Sequence, residues 1–231
     1  MMKRMPERGP LSADEVRRYH DRGYLTVPDF FAPAQLDAVE QYLQAHGDVA
    51  WQGKVADPMR EAHYHERGIY ELCTTPALLD AIEELLGPDI VLLYSHIINK
   101  KGGGGLGVKW HQDGPYWPRI EPKIAVTAWI PLDDCDVENG CMQVIPGSHT
   151  GHVDLGQRAT GERDLIQDHA IALPDDVVDA KRAENIVLKR GDVSFHDSYI
   201  VHGSQPNHSS RRRAAITVRY VPASTHIAGV I

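Results

Sequence analysis

Cysteine is scarce in this chain, and the scarcity excludes two architectures. The 231 residues include 3 cysteines, Cys73, Cys135 and Cys141, an odd set with no C-x-x-C spacing. A disulfide framework needs a denser, even set, and a structural zinc site needs closely spaced ligand pairs. Cys135 and Cys141 have no second cysteine pair to complete a zinc-thiolate centre. Such sparing use suits a reducing compartment, so a cytoplasmic location is expected. Basic charge is also short: Lys and Arg total 24 against 32 Asp and Glu, a net charge of −8. The one basic run, Arg211-Arg212-Arg213, is too short and isolated for a nucleic-acid footprint, and no nucleic-acid partner is expected. No window approaches ~18 consecutive apolar residues, so no membrane span is expected. The opening "MMKRMPERGP" is basic with no apolar stretch behind it, and residues 1–10 read as a loose tail rather than a secretory signal.

What is present is an ordinary globular composition, 42% hydrophobic and 24% charged, at a length that suits one domain over 1–231. Residues 11–89 read as mostly helical. "LSADEVRRYHDRGYL" opens with a capping box, Ser12 and Glu15, and stops at Gly23. "FAPAQLDAVEQYLQAHG" has Pro33 near its start, Leu36, Val39 and Leu43 on one face, and Gly47 at its end. "TTPALLDAIEELLGPD" places Thr75 as cap and Pro76 inside the start. From residue 90 to about 223 the period shortens. "DIVLLYSHIINKK", "KIAVTAWIPL", "GCMQVIPGSH", "AENIVLKRGDVSFHD", "SYIVHGS" and "RRRAAITVRYVPA" are strand-length runs separated by turn chemistry. The fold class expected is therefore mainly β with flanking α-helices, as a sandwich or barrel. "KGGGGLG" reads as a hairpin connection, since it lacks the lysine of a phosphate loop. The charged stretch 152–184 is long for a plain connection and is a lid candidate.

Chemistry enters at "WHQDGPYWP". A lone His-x-Asp carries little, because roughly one such triplet is expected by chance. On a strand, however, His111 and Asp113 would share a face with backbones about 6–7 Å apart. "FHDSYIVHGSQPN" offers His196 and His202 as further donors, six residues apart and on one face if the strand is unbroken. Two histidines and one carboxylate leave up to three positions open on an octahedral ion, as in non-heme Fe(II) oxygenases, whereas a structural site fills its sphere. A keto-acid electron donor also needs its far carboxylate held, best by a guanidinium. Arg213 and Arg211 share a face at the start of the next strand, which antiparallel pairing would bring beside His202. Spacing does not separate the two, and Arg212 points the other way.

With these pieces in view, the chain resembles the phytanoyl-CoA dioxygenase (PhyH-like) family of Fe(II)/2-oxoglutarate-dependent oxygenases. The resemblance lies in "LSADEVRRYHDRGYLTVPDFF", "WHQD", "TAWIPLDDCDVENGCMQVIPGSH", "GDVSFHDSYIVHGSQPN" and "RRRAAITVRY", in family order over most of the chain. It implies a double-stranded β-helix (jelly-roll, cupin-like) core, Fe(II), 2-oxoglutarate as co-substrate and O2, with release of succinate and CO2. It implies His111, Asp113 and His202 as metal ligands and Arg213 as the arginine on the distal carboxylate, which breaks the tie with Arg211. Ser204 matches its hydroxyl helper, Gln112 and Trp129 match positions lining the co-substrate pocket, and Asn99 is placed at the other end of 2-oxoglutarate. The carboxylate at Asp113, where related halogenases have a small residue, favours oxygenation: hydroxylation, or oxidative cyclisation or desaturation.

The remaining candidates are assigned by place. Tyr116 and Trp117 follow the ligand pair, and Tyr94 and His96 alternate on the preceding strand, so all four are substrate-binding candidates. His63 and His65 in "HYHERG" are candidates from a loop near the pocket mouth. His196 reads as a buried neighbour of the site or a core residue, His149 and His152 as turn residues or neighbours of a lid hinge, and Arg211 and Arg212 as solvated. The partner expected is a small, polar molecule, bound by a monomer or homodimer. Two other classes compete: a cupin-like metal isomerase or hydrolase without redox chemistry, and a catalytically silent binding protein on the same fold. Arg213 argues against the first, and the complete set of donors against the second.

Overall fold

The computed structural model describes residues 11–47, 58–117, 119–166 and 170–227; the expected tail at 1–10 lies outside the described residues. Helix α1 (Ala13–Arg22) starts where the capping box predicts. The Ser12 hydroxyl accepts from the Glu15 amide at 3.3 Å, the Glu15 carboxylate accepts from the Ser12 amide at 2.9 Å, and Gly23 closes the helix at φ +79°. Strand β1 (Tyr24–Val27) follows at once, inside the stretch read as helical, because "YLTV" alternates and has a sheet edge to join. Helix α2 (Asp37–His46) is preceded by a 3-10 turn that begins at Pro33. Helix α3 (Arg67–Cys73) lies just beyond the "HYHE" loop, and α4 (Pro76–Leu86) begins at Pro76. Thr75 does not cap α4 with its side chain; its hydroxyl donates backwards to the Leu72 carbonyl at 3.2 Å.

The strands that follow are β2 (Ile90–Lys100), β3 (Val108–His111), β4 (Ile120–Glu121), β5 (Val126–Pro131), β6 (Met142–Val144), β7 (Arg158–Ala159) and β8 (Ile171–Ala172). After them come β9 (Glu184–Ile186), β10 (Val193–Asp197), β11 (His202–Ser204), β12 (Arg213–Pro222) and β13 (His226–Ile227). They form a five-stranded antiparallel sheet, β1-β10-β5-β12-β2, and a four-stranded one, β3-β11-β6-β9, with two small two-stranded pairs, β13-β4 and β7-β8. The sheets face each other as a jelly roll. "KGGGGLG" is thus a crossing from one sheet to the other rather than a hairpin. It is tied down by Gly103 and Gly104 amides donating to the Ser209 and Asn207 carbonyls.

Alternation divides the residues of the large sheet. Ala214, Ile216, Val218 and Tyr220 on β12, Val126, Ala128 and Ile130 on β5, and Val193 and Phe195 on β10 are buried in one core with Leu36, Val39, Leu78 and Ile82 of the helices. Each fully buried aliphatic side chain of this kind stabilises the fold by roughly 1.5–3 kcal/mol. The opposite face carries Arg213, Thr217 and Arg219 on β12, Trp129 on β5 and His196 on β10, all lining a cavity of about 440 Å³. The edge strand β3 is flanked by the described parts of segment 152–184. Leu165 and Leu173 amides donate to the Gly107 and Trp110 carbonyls at 2.9 and 2.8 Å. Ile166 of that segment reaches the cavity wall.

Candidate active site

Two imidazoles are set by their own backbone. His111 closes β3 with Nδ1 2.8 Å from the Lys109 carbonyl, and His202 opens β11 with Nδ1 3.1 Å from the Ile200 carbonyl. A carbonyl only accepts, so each Nδ1 carries the proton and each Nε2 keeps its lone pair for the cavity. Strand register places the two residues directly opposite each other, with ring centroids 4.1 Å apart. Asp113 is not on the strand as the spacing predicts; it leads into a 3-10 turn, Gly114–Tyr116, with helical φ −69° and ψ −46°. The turn still swings its carboxylate inward, with Oδ1 3.6 Å from His111 Nε2 and 3.9 Å from His202 Nε2. One ligand atom from each of the three lies within 4.8 Å of the others.

Oδ2 of Asp113 is held from behind, accepting from Thr127 Oγ1 and Arg219 Nε, each at 3.3 Å. Burial pushes the Asp113 carboxyl up, but the Arg219 guanidinium and the imidazoles of His111, His196 and His202 outweigh it and keep it well below the usual range. Burial, and then neighbouring His111, push His202 well below the usual imidazole value. The site therefore presents an ionised carboxylate and a neutral imidazole, the forms that bind a metal. Two nitrogens and one oxygen, with room beside them, fit iron(II) by donor chemistry.

The sequence left His196 and His202 on one strand and Arg213 on a neighbour of His202. The structure does neither. His196 lies on β10 of the large sheet and His202 on β11 of the small one, with a turn between, and their rings meet across the gap at 4.9 Å. β12 pairs with β2 and β5, so Arg213 faces His202 from the opposite sheet. Arg213 is 2% exposed and its guanidinium lies 5.6 Å from the Trp129 ring centre. Its Nε has no hydrogen-bond partner, and no carboxylate pairs with it among the described residues. Burial lowers its pKa. A buried cation left this way is costly, and an incoming carboxylate would offset the cost. Arg213 with Trp129 and Ser204 thus fits the distal carboxylate of 2-oxoglutarate. Arg211 is exposed and paired with Asp136 at 2.7 Å. Arg212 is not simply solvated, because it bridges Asp133 and Glu40 at 2.8–2.9 Å.

Tyr94, His96, Tyr116 and Trp117 line the cavity. Burial, then Arg60 and Arg219, push His96 down to about 3, so it presents a neutral ring. Four other candidates lie elsewhere. Gln112 points away from the cavity, opposite His111 in the pleat. Its amide donates to the Val153 and Tyr199 carbonyls at 3.1 and 2.7 Å and accepts from the Leu155 amide at 3.0 Å, clamping a loop. Asn99 lies opposite Ala214 on the helix-facing side, because Ile98 takes the inward place. His63 is buried against Ser95 Oγ at 2.6 Å, and His65 is exposed. From their loop it is Arg60 and Glu61 that reach the cavity.

Three side chains escaped the sequence reading. Lys100, fully buried, donates from Nζ to Ser204 Oγ at 2.9 Å and to the Gly140 and Gln205 carbonyls; burial, then Arg213, push it down to about 7. Thr127 and Arg219 hold Asp113. Counting every second residue from Arg213 along β12 leads to Arg219, and from His96 along β2 to Lys100.

Known proteins resemble this chain in sequence and in fold. A crystal structure of the non-heme alpha ketoglutarate dependent carbocyclase SnoK from nogalamycin biosynthesis superposes with a TM-score of 0.75 at 25% identity, covering 95% of this chain and 89% of that one. L-proline trans-4-hydroxylase of Streptomyces griseoviridis is 32% identical over 230 residues, 90% of this chain and 85% of that protein. A probable alpha-ketoglutarate-dependent hypophosphite dioxygenase of Stutzerimonas stutzeri is 28% identical over 236 residues, 92% of this chain and 79% of that protein. The phytanoyl-CoA dioxygenase (PhyH) family model matches residues 19–215, from α1 into β12 and across all three candidate ligands and Arg213. The chain belongs to the phytanoyl-CoA dioxygenase family.

Proposed function

We propose that this protein is an iron(II)- and 2-oxoglutarate-dependent oxygenase that hydroxylates, or oxidatively cyclises or desaturates, a small metabolite or natural product. The observation that carries it is one cavity with three convergent donors, His111, Asp113 and His202, and a buried arginine, Arg213, that no carboxylate among the described residues pairs with. When bound, iron(II) and 2-oxoglutarate together activate O2, and the co-substrate leaves as succinate and CO2. The chain's own residues position and protect. Lys109 and Ile200 carbonyls aim the two Nε2 atoms; Thr127 and Arg219 aim the carboxylate. Arg213 and Ser204 hold the distal carboxylate over Trp129, with Lys100 fixing Ser204. Tyr94, His96, Tyr116 and Trp117 surround the space left for substrate, and Ile166 brings the lid candidate to its wall. The cavity falls within the ~300–1,000 Å³ of small-molecule sites, and the names of two relatives, hypophosphite and L-proline, set a compatible scale. A cytoplasmic setting agrees with three free, buried cysteines, and no helix among the described residues is long and apolar enough to cross a membrane. We place it as a monomer or homodimer.

The test is anaerobic. Adding Fe(II) and then 2-oxoglutarate should produce the weak visible charge-transfer band of a chelated keto acid, and air should then release succinate. His111→Ala and Asp113→Ala should each abolish the band. A protein that binds iron yet shows neither band nor succinate would sink the reading.

A further inference from the structure

Arg219 has a surplus of donors. A guanidinium carries five N–H groups, and here Nε donates to Asp113 Oδ2 at 3.3 Å and Nη1 to Thr217 Oγ1 at 3.0 Å. Nη2 has no hydrogen-bond partner among the described residues, although the side chain is only 11% exposed. The group lies in the cavity, 5.6 Å from the Tyr94 ring centre and 5.9 Å from that of Trp117. Arg213 stands six residues earlier on the same strand face, about 20 Å of strand away, against a different ring, Trp129. The two guanidiniums therefore serve opposite ends of the cavity, with the candidate metal ligands between them.

Charge points the same way. On the reading above, the metal, Asp113, the two carboxylates of the co-substrate and Arg213 neutralise one another. At the other end, Arg219, Arg60 and Glu61 line the cavity. A guanidinium whose Nη2 is left over favours an anion that can take its N–H groups and repels a cation. The chain's net charge of −8 is no guide to the groups that face one cavity.

We infer that Arg219 is the anchor of a substrate-anion subsite, and that the substrate is a small oxyanion, a carboxylate or a phosphorus oxyanion, held between Tyr94 and Trp117. Because Arg219 also touches Asp113, the anion sits beside the metal, and the bond oxidised lies close to the anionic group. The inference rests on the metal and 2-oxoglutarate reading of the cavity.

It is tested on the Fe(II)·2-oxoglutarate enzyme without O2, following perturbation of the charge-transfer band and heat of binding. Propionate, methylphosphonate and neutral propionamide are titrated in turn. At least one acid should bind about tenfold or more tightly than the amide, and the better acid distinguishes carboxylate from phosphorus oxyanion. Arg219→Gln, whose metal loading is read first because Arg219 also holds Asp113, should lose that preference in the loaded protein. Arg219→Lys, which keeps a charge beside Asp113, should retain part of it, and answers the question if Arg219→Gln fails to hold metal. Equal binding of acid and amide, no binding by either acid, or a preference undiminished in Arg219→Gln (or in Arg219→Lys, where Arg219→Gln does not hold metal) would overturn the subsite. Absence of the band on adding 2-oxoglutarate would instead fault the underlying reading.

Discussion

Arg213 is the residue on which the co-substrate reading turns. The residue is 2% exposed and no carboxylate among the described residues pairs with it, so an arriving anion would offset its desolvation. Arg213→Gln should weaken 2-oxoglutarate binding by about 100-fold, about 2.7 kcal/mol, while Fe(II) binding is retained; titration of the charge-transfer band measures both. The family motif in the sequence singled out this residue with His111, Asp113 and His202 as candidates, and all four line one cavity. The route of Arg213 into the site was not legible there. Counting residues places Arg213 beside His202, yet the pairing partner of a strand is decided by the fold, and β12 runs in the other sheet. Gln112 and Asn99 were misplaced for a simpler reason. Each neighbours inward residues, and in a pleated strand the neighbours of an inward residue point out.

At the level of elements, the Gln112 side chain substitutes for missing secondary structure. Residues 153–157 form no strand, and the Gln112 side chain holds them with bonds to Val153 and Leu155 while the Gln112 backbone N–H donates to Gln157 Oε1 at 2.8 Å. Gln112→Ala should release this loop at a cost of about 1–3 kcal/mol. Hydrogen exchange of the Leu155 amide should then accelerate about 10- to 100-fold, while the β12 amides keep their protection. The start of α1 was readable to the residue because the capping box is a local device, with donor and acceptor three positions apart. β1 was not, since "YLTV" is a strand only because β10 offers it an edge.

For the whole molecule, the helical layer and the large sheet are joined by polar ties as well as by the core. Arg212, just before β12, makes a two-pronged bond to Asp133 and reaches Glu40 on α2. The Arg212 guanidinium holds the Glu40 carboxyl below its usual value. A depressed folded-state pKa adds stability above the unfolded value, about 4.3, and the contribution is lost as pH falls through the folded value. Arg212→Ala should therefore lower stability by about 1–2 kcal/mol near pH 7. That deficit should shrink toward pH 3, as parallel denaturant melts of variant and parent would show.

The bonds that Leu165 and Leu173 make to the outer side of β3 have a consequence beyond the cavity. A strand that bears a metal ligand at a sheet's margin offers its unpaired backbone to any passing chain. The segment that covers it thus occupies a backbone edge that would otherwise be open to pairing. Stripping that segment back to admit bulkier molecules would uncover a pairing edge next to the metal, and wider access would come with a tendency to aggregate.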